Sequence, residues 1–499
     1  MATAVSTKRE VARAFIGGRW IDTGGPTVPN LNPANTDEVI CEVQPATAKH
    51  VEQAVAAAAE AQRDWARRPA PDRARIAARF SELARARAEE LATIMTREEG
   101  KILKEARGEI VKGLNIVDFF VGEGWRLGGK TLPSEMPHTL TYTVRQPVGV
   151  VGVITPWNFP WAVPLWKIAP ALIAGNAVVF KPASATPLIA VRIAQLFEEA
   201  GLPGGVLNLV IGSGGEVGDP LVNHPGVRAL TFTGSNEVGA RLCEMGSRRL
   251  AKVCCEMGGK NALVVMPDAD LPVAIAGTMQ GAFGSTGQRC TATSRLILHE
   301  RICDEFLETL IADAMALRLG DGMDPATNMG PVVDERQLQT DLQAIEIARR
   351  EGLKCVCGGE RPSDPAHAKG WFLEPTIFAD VPRSAHLFQE EVFGPVLAVH
   401  RVRTFDEALE AANDTRYGLT ASLYARDASV IQRFIDGIEV GMVHINSPTI
   451  GGEAQLPFGG IKATGVGDRE MSTEGIEFFT ELKTVFHDYT GTKRETNIY

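Results

Sequence analysis

Val148-Gly149-Val150-Val151-Gly152-Val153-Ile154-Thr155-Pro156-Trp157-Asn158-Phe159-Pro160 decides the fold. Its first seven residues carry no charge and are fenced by Pro147 and Pro156. Such a run is the pattern of a strand buried on both faces, and it is far too short to span a bilayer. Moving outward, Ala177-Val178-Val179-Phe180 and residues 206–211 repeat the pattern with helical stretches between them, and 229–233 and 262–265 add two more. Five short apolar strands alternating with helices predict an α/β fold with a doubly wound, Rossmann-like nucleotide-binding sheet, whose ligands gather at the carboxyl ends of the strands. Upstream, Ala14-Phe15-Ile16-Gly17-Gly18-Arg19-Trp20 reads as a hairpin with a glycine turn. Residues 47–112 read as consecutive surface helices with charged outer faces, their apolar positions (Ile76, Phe80, Leu83, Leu91, Ile94) at helical spacing. After Glu256 a second α/β region begins, with strands near 295–298, 398–402 and Met442–Ile445, helices capped as in Thr404-Phe405-Asp406-Glu407, and a loop over 358–370.

A chain of 499 residues exceeds one hydrophobic core, so two or three domains are expected. With 44% apolar and 22% charged residues it has the composition of a soluble globular protein, not a disordered one. A net charge of -10 argues against nucleic acid or an anionic membrane as a partner. Residues 1–13 hold no apolar stretch of signal-peptide length, and the expected compartment is the cytoplasm. The 8 cysteines follow neither a disulfide nor a zinc rhythm, so no metal is expected and most are small buried hydrophobes.

Cys290 differs by its neighbours. Phe283-Gly284-Ser285-Thr286-Gly287-Gln288-Arg289-Cys290-Thr291-Ala292 sets one thiol among small residues, downstream of a carboxylate in Glu256-Met257-Gly258-Gly259-Lys260. A thiolate nucleophile and a carboxylate able to activate thiol or water make a covalent-catalysis pair, suited to attacking an aldehyde and hydrolysing a thioester. Asn158 offers a fixed N–H donor for a developing oxyanion, or simply forms an Asx turn. Thr231-Phe232-Thr233-Gly234-Ser235 ends a strand and opens a helix, where N–H groups and a hydroxyl can meet a pyrophosphate. Gly212-Ser213-Gly214-Gly215-Glu216-Val217-Gly218 misses the dinucleotide fingerprint by one position and serves equally as a strand-to-helix turn. Lys181, directly after a strand, can reach ribose hydroxyls or a 2′-phosphate, or lie solvated at the surface; Glu390-Glu391-Val392-Phe393 can hold a second ribose and pack a nicotinamide ring.

From Ile16-Gly17-Gly18-Arg19-Trp20 to Pro457-Phe458-Gly459-Gly460-Ile461-Lys462 and Arg469-Glu470, the chain resembles the NAD(P)-dependent aldehyde dehydrogenase superfamily. The resemblance implies Cys290 as nucleophile, Glu256 as general base, and Asn158 with the Cys290 amide as oxyanion hole. Lys167 and Glu470 stand where many members have a proton relay. The implied cofactor surface comprises Thr155, Pro156, Trp157, Asn158, Lys181, Ala183 and Ser184, then Gly214, Gly215, Phe232, Thr233, Gly234, Ser235 and Val238. Glu256, Met257, Gly258, Cys290, Glu391 and Phe393 complete it. Also implied are a cofactor domain (1–125 and 149–257), a catalytic domain (258–455), a β-flap for oligomerisation (126–148 and 484–499) and a return segment (456–483), in a homodimer or homotetramer.

Many NAD-preferring members carry an acid three residues after the lysine, repelling a 2′-phosphate; here that position is Ser184, so NADP is the expected cofactor, with NAD the alternative. Residues 287–295 and 447–457 look like the 2-oxoglutarate-semialdehyde (2,5-dioxopentanoate) dehydrogenase branch, which predicts an acidic semialdehyde substrate. Candidate substrate contacts are Phe159, Trp161, Trp166, Arg289 and Ser447. Arg289 can attract a carboxylate or pair structurally. Rival readings are a broad aliphatic or aromatic aldehyde dehydrogenase, a CoA-acylating enzyme, a thioester hydrolase and a non-catalytic scaffold; an intact Cys290, Glu256 and Asn158 set weighs against the last.

Overall fold

Val150–Ile154 is buried along its whole length and pairs in parallel with Ala177–Lys181 on one side and Val227–Thr233 on the other. Leu207–Leu209 and Lys252–Glu256 extend this core outward, each again in parallel. Successive side chains point to opposite faces: Val151, Val153, Val178 and Phe180 enter one core, Val150, Ile154, Ala177 and Val179 the other. The hairpin Ala14–Ile16 and Arg19–Ile21 closes one edge antiparallel, as its glycine turn predicts, and Gly465–Val466 closes the other, giving 8 strands. The computed structural model describes residues 9–491. Residues 1–8 of the expected cofactor domain and 492–499 of the expected flap lie outside the described residues.

One strand assignment is corrected. Asn261–Val265 does not belong to this sheet; the fifth parallel strand is Lys252–Glu256, whose apolar run, Val253-Cys254-Cys255, is short and closed by charges at both ends. Asn261–Val265 instead sits inside a second sheet of 7 strands, between Thr293–His299 and Thr420–Tyr424. A fully buried strand has the same composition in either sheet, so only its pairing partners tell them apart. The chain crosses between sheets within Met257-Gly258-Gly259-Lys260. Val396–Val402, Thr376–Ala379 and Met442–Ile445 complete the parallel part, with Lys354–Cys357 antiparallel at the edge.

The expected helices form as Ala48–Arg67, Ala70–Ala86, Ala88–Glu99 and Leu103–Glu123. Thr404 caps Phe405–Asn413 by accepting the Glu407 N–H, and 358–370 is a loop apart from a short turn at Pro365–His367. Leu103–Glu123 decides the geometry of the site. Ala106, Ile110, Leu114, Val117 and Phe120 line its buried face, and at Gly113 a Cβ would stand 2.4 Å from the Trp161 ring. Glycine is therefore what lets this helix press against Ala162–Ile173.

A separate three-stranded ribbon pairs Thr480–Asp488 with Thr139–Pro147 over 9 residues each, with Thr131–Leu132 at its edge. Among the described residues no helix is long and apolar enough to cross a membrane.

Candidate active site

The carboxyl ends of the first sheet's strands open onto a cavity of about 1130 Å³ between the two sheets. Thr155, Pro156, Trp157, Asn158 and Phe159 enter it after the central strand, Lys181, Ala183 and Ser184 after the next. Phe232, Thr233, Gly234 and Ser235 arrive at the end of Val227–Thr233, with Val238 on the following helix, and Glu256, Met257 and Gly258 after Lys252–Glu256. The second sheet contributes Arg289, Cys290, Glu391 and Phe393. The first sheet's residues share one chamber because its parallel strands end on the same side, while Arg289, Cys290, Glu391 and Phe393 reach it from loops that precede Thr293–His299 and Val396–Val402.

The loop bearing Cys290 is held in an unusual conformation. Ser285 and Thr286 have φ of 50° and 57°, a left-handed backbone that a β-branched residue rarely adopts. Its support comes from several directions: Glu105 accepts the Ser285 N–H at 2.7 Å, Thr286 Oγ1 donates to the Gly330 carbonyl at 3.0 Å, and Asn261 Nδ2 donates to the Cys290 carbonyl at 2.8 Å. Asn158 is no Asx turn. Its Nδ2 donates at 3.0 Å to the carbonyl of Gln288, two residues before the thiol. One amide hydrogen is thereby spent on alignment, and the other remains free to donate. Cys290 is half-buried, and desolvation pushes its thiol up to about 12.

Glu256 is buried, and its carboxylate accepts the Gly460 N–H at 3.3 Å. A Cβ on Gly459 would lie 2.2 Å from Glu256 Oε1, so that glycine makes room for this rotamer. Burial first, and the nearby Glu470 carboxylate second, hold the Glu256 carboxyl well above the ordinary range. Behind it lies a buried ion pair between Lys167 and Glu470. Lys167 also donates to Thr231 Oγ1 at 2.8 Å and Trp166 Nε1 to Glu470 at 2.7 Å. Lys167 and Glu470 line a small pocket of their own beside the main cavity.

The other half of the cavity suits a nicotinamide dinucleotide. Thr155 Oγ1 and Thr233 Oγ1 are buried there without a hydrogen-bond partner. Lys181 is buried, not solvated, its Nζ reaching only the Pro182 carbonyl at 3.0 Å, and burial pulls it down to about 8. Ser235 caps the helix Asn236–Ser247 by accepting the Val238 N–H at 3.4 Å, so its hydroxyl shapes that helix start. Glu391 accepts the Gly259 N–H at 3.0 Å, and Trp157 meets Phe393 edge to face at 5.4 Å. Unsatisfied hydroxyls and a desolvated ammonium are the donors that ribose and phosphate oxygens need.

Three expected contacts lie elsewhere. Trp161 is fully buried against Phe80, turned into the core by the close approach of Leu103–Glu123. Ser447 lies outside the cavity, its carbonyl accepting from Ser422 Oγ, while Pro448 and Ile450 form that wall. Gly215 is exposed outside the cavity, although Gly214 lines it. The charged face of Leu103–Glu123 is also not wholly external: Glu105, Glu109 and Lys112 turn into the cavity. Their 3- and 4-residue spacing was the available signal, but charge at that spacing is equally the mark of a solvated face. Arg289 lines the cavity while donating to Ser285 Oγ at 2.8 Å and to Glu105 at 3.4 Å.

Residues 20–485 match the aldehyde dehydrogenase family. An alpha-ketoglutaric semialdehyde dehydrogenase of Bacillus subtilis is 43% identical, the match covering 97% of this chain and 99% of that one. A 2,5-dioxopentanoate dehydrogenase of Saccharolobus solfataricus is 42% identical over 95% of this chain and 99% of its own. Among solved structures, betaine aldehyde dehydrogenase from Staphylococcus aureus in complex with NAD+ superimposes with a TM-score of 0.95 at 34% identity, covering 98% of this chain and 97% of that one. With a half-buried thiol and a buried carboxylate facing one chamber at the strand ends, and a match that runs nearly end to end, the chain belongs to the aldehyde dehydrogenase family.

Proposed function

We propose that the protein oxidises an acidic semialdehyde, 2-oxoglutarate semialdehyde in the first instance, to the carboxylic acid. The observation that carries the reaction is the meeting of Cys290, Asn158 and Glu256 in one cavity with a dinucleotide-sized half beside it. Both of the semialdehyde dehydrogenases described above are named for the same five-carbon compound, which supports the substrate.

In this reading Cys290, once deprotonated, adds to the aldehyde carbonyl, and the free N–H of Asn158 Nδ2 with the Cys290 amide receives the oxyanion. A bound nicotinamide supplies the hydride acceptor, and Thr155, Lys181, Thr233, Glu391 and Phe393 would hold that cofactor. Glu256 then takes a proton from the water that hydrolyses the Cys290 thioester. Lys167 and Glu470, paired behind Glu256, carry that proton outward. NADP is the preferred cofactor, because Ser184 puts a hydroxyl, not a carboxylate, on the wall shared with Lys181. The division into cofactor, catalytic and flap regions, a cytoplasmic setting that keeps Cys290 reduced, and a homodimer or homotetramer joined through the ribbon belong to the same reading.

Initial rates of NAD(P)H formation across 2-oxoglutarate semialdehyde, succinate semialdehyde, straight-chain and aromatic aldehydes, each with NAD and NADP, test it. The expected result is highest kcat/KM for the five-carbon acid, with free acid as product and NADP ahead of NAD. A preference for apolar aldehydes would favour the broad-specificity alternative and remove the substrate assignment.

A further inference from the structure

We propose that Lys112 is the group that binds the distal carboxylate of the substrate and so selects acidic over neutral aldehydes. The inference rests on the substrate class proposed above and adds the residue responsible for it.

Lys112 lies on Leu103–Glu123, on the face that also carries Glu105, Gly108 and Glu109 into the cavity. Its ammonium stands over three aromatic rings, 5.6 Å from Trp166 and 5.9 Å from both Phe159 and Phe458. Among the described residues it makes no hydrogen bond and no ion pair. The other cations of this half that are not at the open surface are already engaged. Lys101 donates to Glu109 at 2.7 Å and to the Asn158 carbonyl at 2.6 Å. Arg289 is held by Ser285 and Glu105. Glu109, the acid one turn before Lys112, is taken up by Lys101 and by the N–H groups of Trp161 and Ala162 at 2.9 and 3.1 Å.

What remains is one partly desolvated, unpaired positive charge inside an aromatic box on the wall of the same cavity as Cys290. Burial lowers the pKa of Lys112, and the nearby Cys290 and Glu109 offset that only in part. Aromatic faces attract a cation but leave its N–H donors unfilled. A carboxylate fills them, and a neutral aldehyde does not. A site with an unfilled charged donor discriminates between those two ligands more sharply than an apolar pocket separates chains by length. If the box served packing alone, an apolar side chain of equal length would fill it without the desolvation cost.

The experiment compares wild type, Lys112→Met and Lys112→Arg by kcat/KM for 2-oxoglutarate semialdehyde and for pentanal, a neutral five-carbon aldehyde. Glutarate is measured alongside as a dead-end inhibitor. Loss of a charge-assisted hydrogen bond predicts that Lys112→Met lowers the acid-to-neutral ratio by about thirtyfold, chiefly through KM, and raises the glutarate Ki in parallel. Lys112→Arg should keep most of the ratio. Should Lys112→Met not fold, Lys112→Gln reads the same ratio. A wild type that prefers the acid, with a ratio unchanged in Lys112→Met or Lys112→Gln, overturns the assignment of Lys112 and leaves the substrate class standing. A wild type that prefers pentanal overturns the substrate class and this inference with it.

Discussion

Cys290, the proposed nucleophile, is held as a neutral thiol: desolvation pushes it up to about 12, and Glu391 and Glu256 add to the rise while Lys112 and the Thr291 amide oppose it. Glu256 is shifted in the same direction, by burial and then by Glu470. Both groups must lose a proton to act, and both do so later in pH than their free counterparts. Below its pKa a thiol gains thiolate tenfold per pH unit, and only the thiolate reacts. Alkylation of Cys290 by iodoacetamide, followed by mass spectrometry on its peptide, should therefore accelerate about tenfold from pH 7 to 8 and keep rising to pH 9. A rate that levels off by neutrality would mean an already ionised thiol and would contradict the burial argument.

At the scale of the element, the Cys290 loop is positioned by what surrounds it. Left-handed backbone at Ser285 and Thr286 costs on the order of 1–3 kcal/mol per residue and persists only where other contacts over-determine it. Glu105 is the anchor from Leu103–Glu123, accepting the Ser285 N–H across 180 residues of sequence and holding Arg289 across 184. Glu105→Ala should lower kcat by about tenfold or more with little change in Tm, because a small displacement of a reacting atom is expensive. Glu105→Gln, whose amide oxygen still accepts from Ser285, should recover most of the loss. Steady-state kinetics beside thermal melts check this, and wild-type kcat in Glu105→Ala would show the loop supports itself.

The ribbon belongs to the scale of the whole molecule. Cross-strand pairs place Phe486 opposite Thr141 and Thr141 opposite Leu132, so Leu132 and Phe486 share a face with Leu482. Phe486 is 74% exposed and Leu482 58%, on a ribbon whose third strand, Thr131–Leu132, is only two residues long. In the homodimer or homotetramer proposed above, a second copy would cover this face. Light scattering should find an oligomer for the wild type and a smaller species for Phe486→Asp, since a carboxylate cannot be buried unpaired in an apolar contact. An unchanged mass would place the interface elsewhere.

The alternation of strands and helices, the caps, and the gathering of Thr155-Pro156-Trp157-Asn158, Lys181, Ser235, Glu256 and Cys290 near strand ends or in glycine-rich turns were legible in the sequence, because each depends on neighbours a few residues away. Tertiary structure alone decided which sheet receives Asn261–Val265, that Trp161 turns into the core, that Ser447 stays outside the cavity, and that Glu105 and Lys112 face inward. Helical periodicity tells which residues share a face but not what lies across from it. For Lys112 that was the whole question: the same charge on the same helix is an ordinary surface lysine in water and an unpaired cation beside Phe159, Trp166 and Phe458.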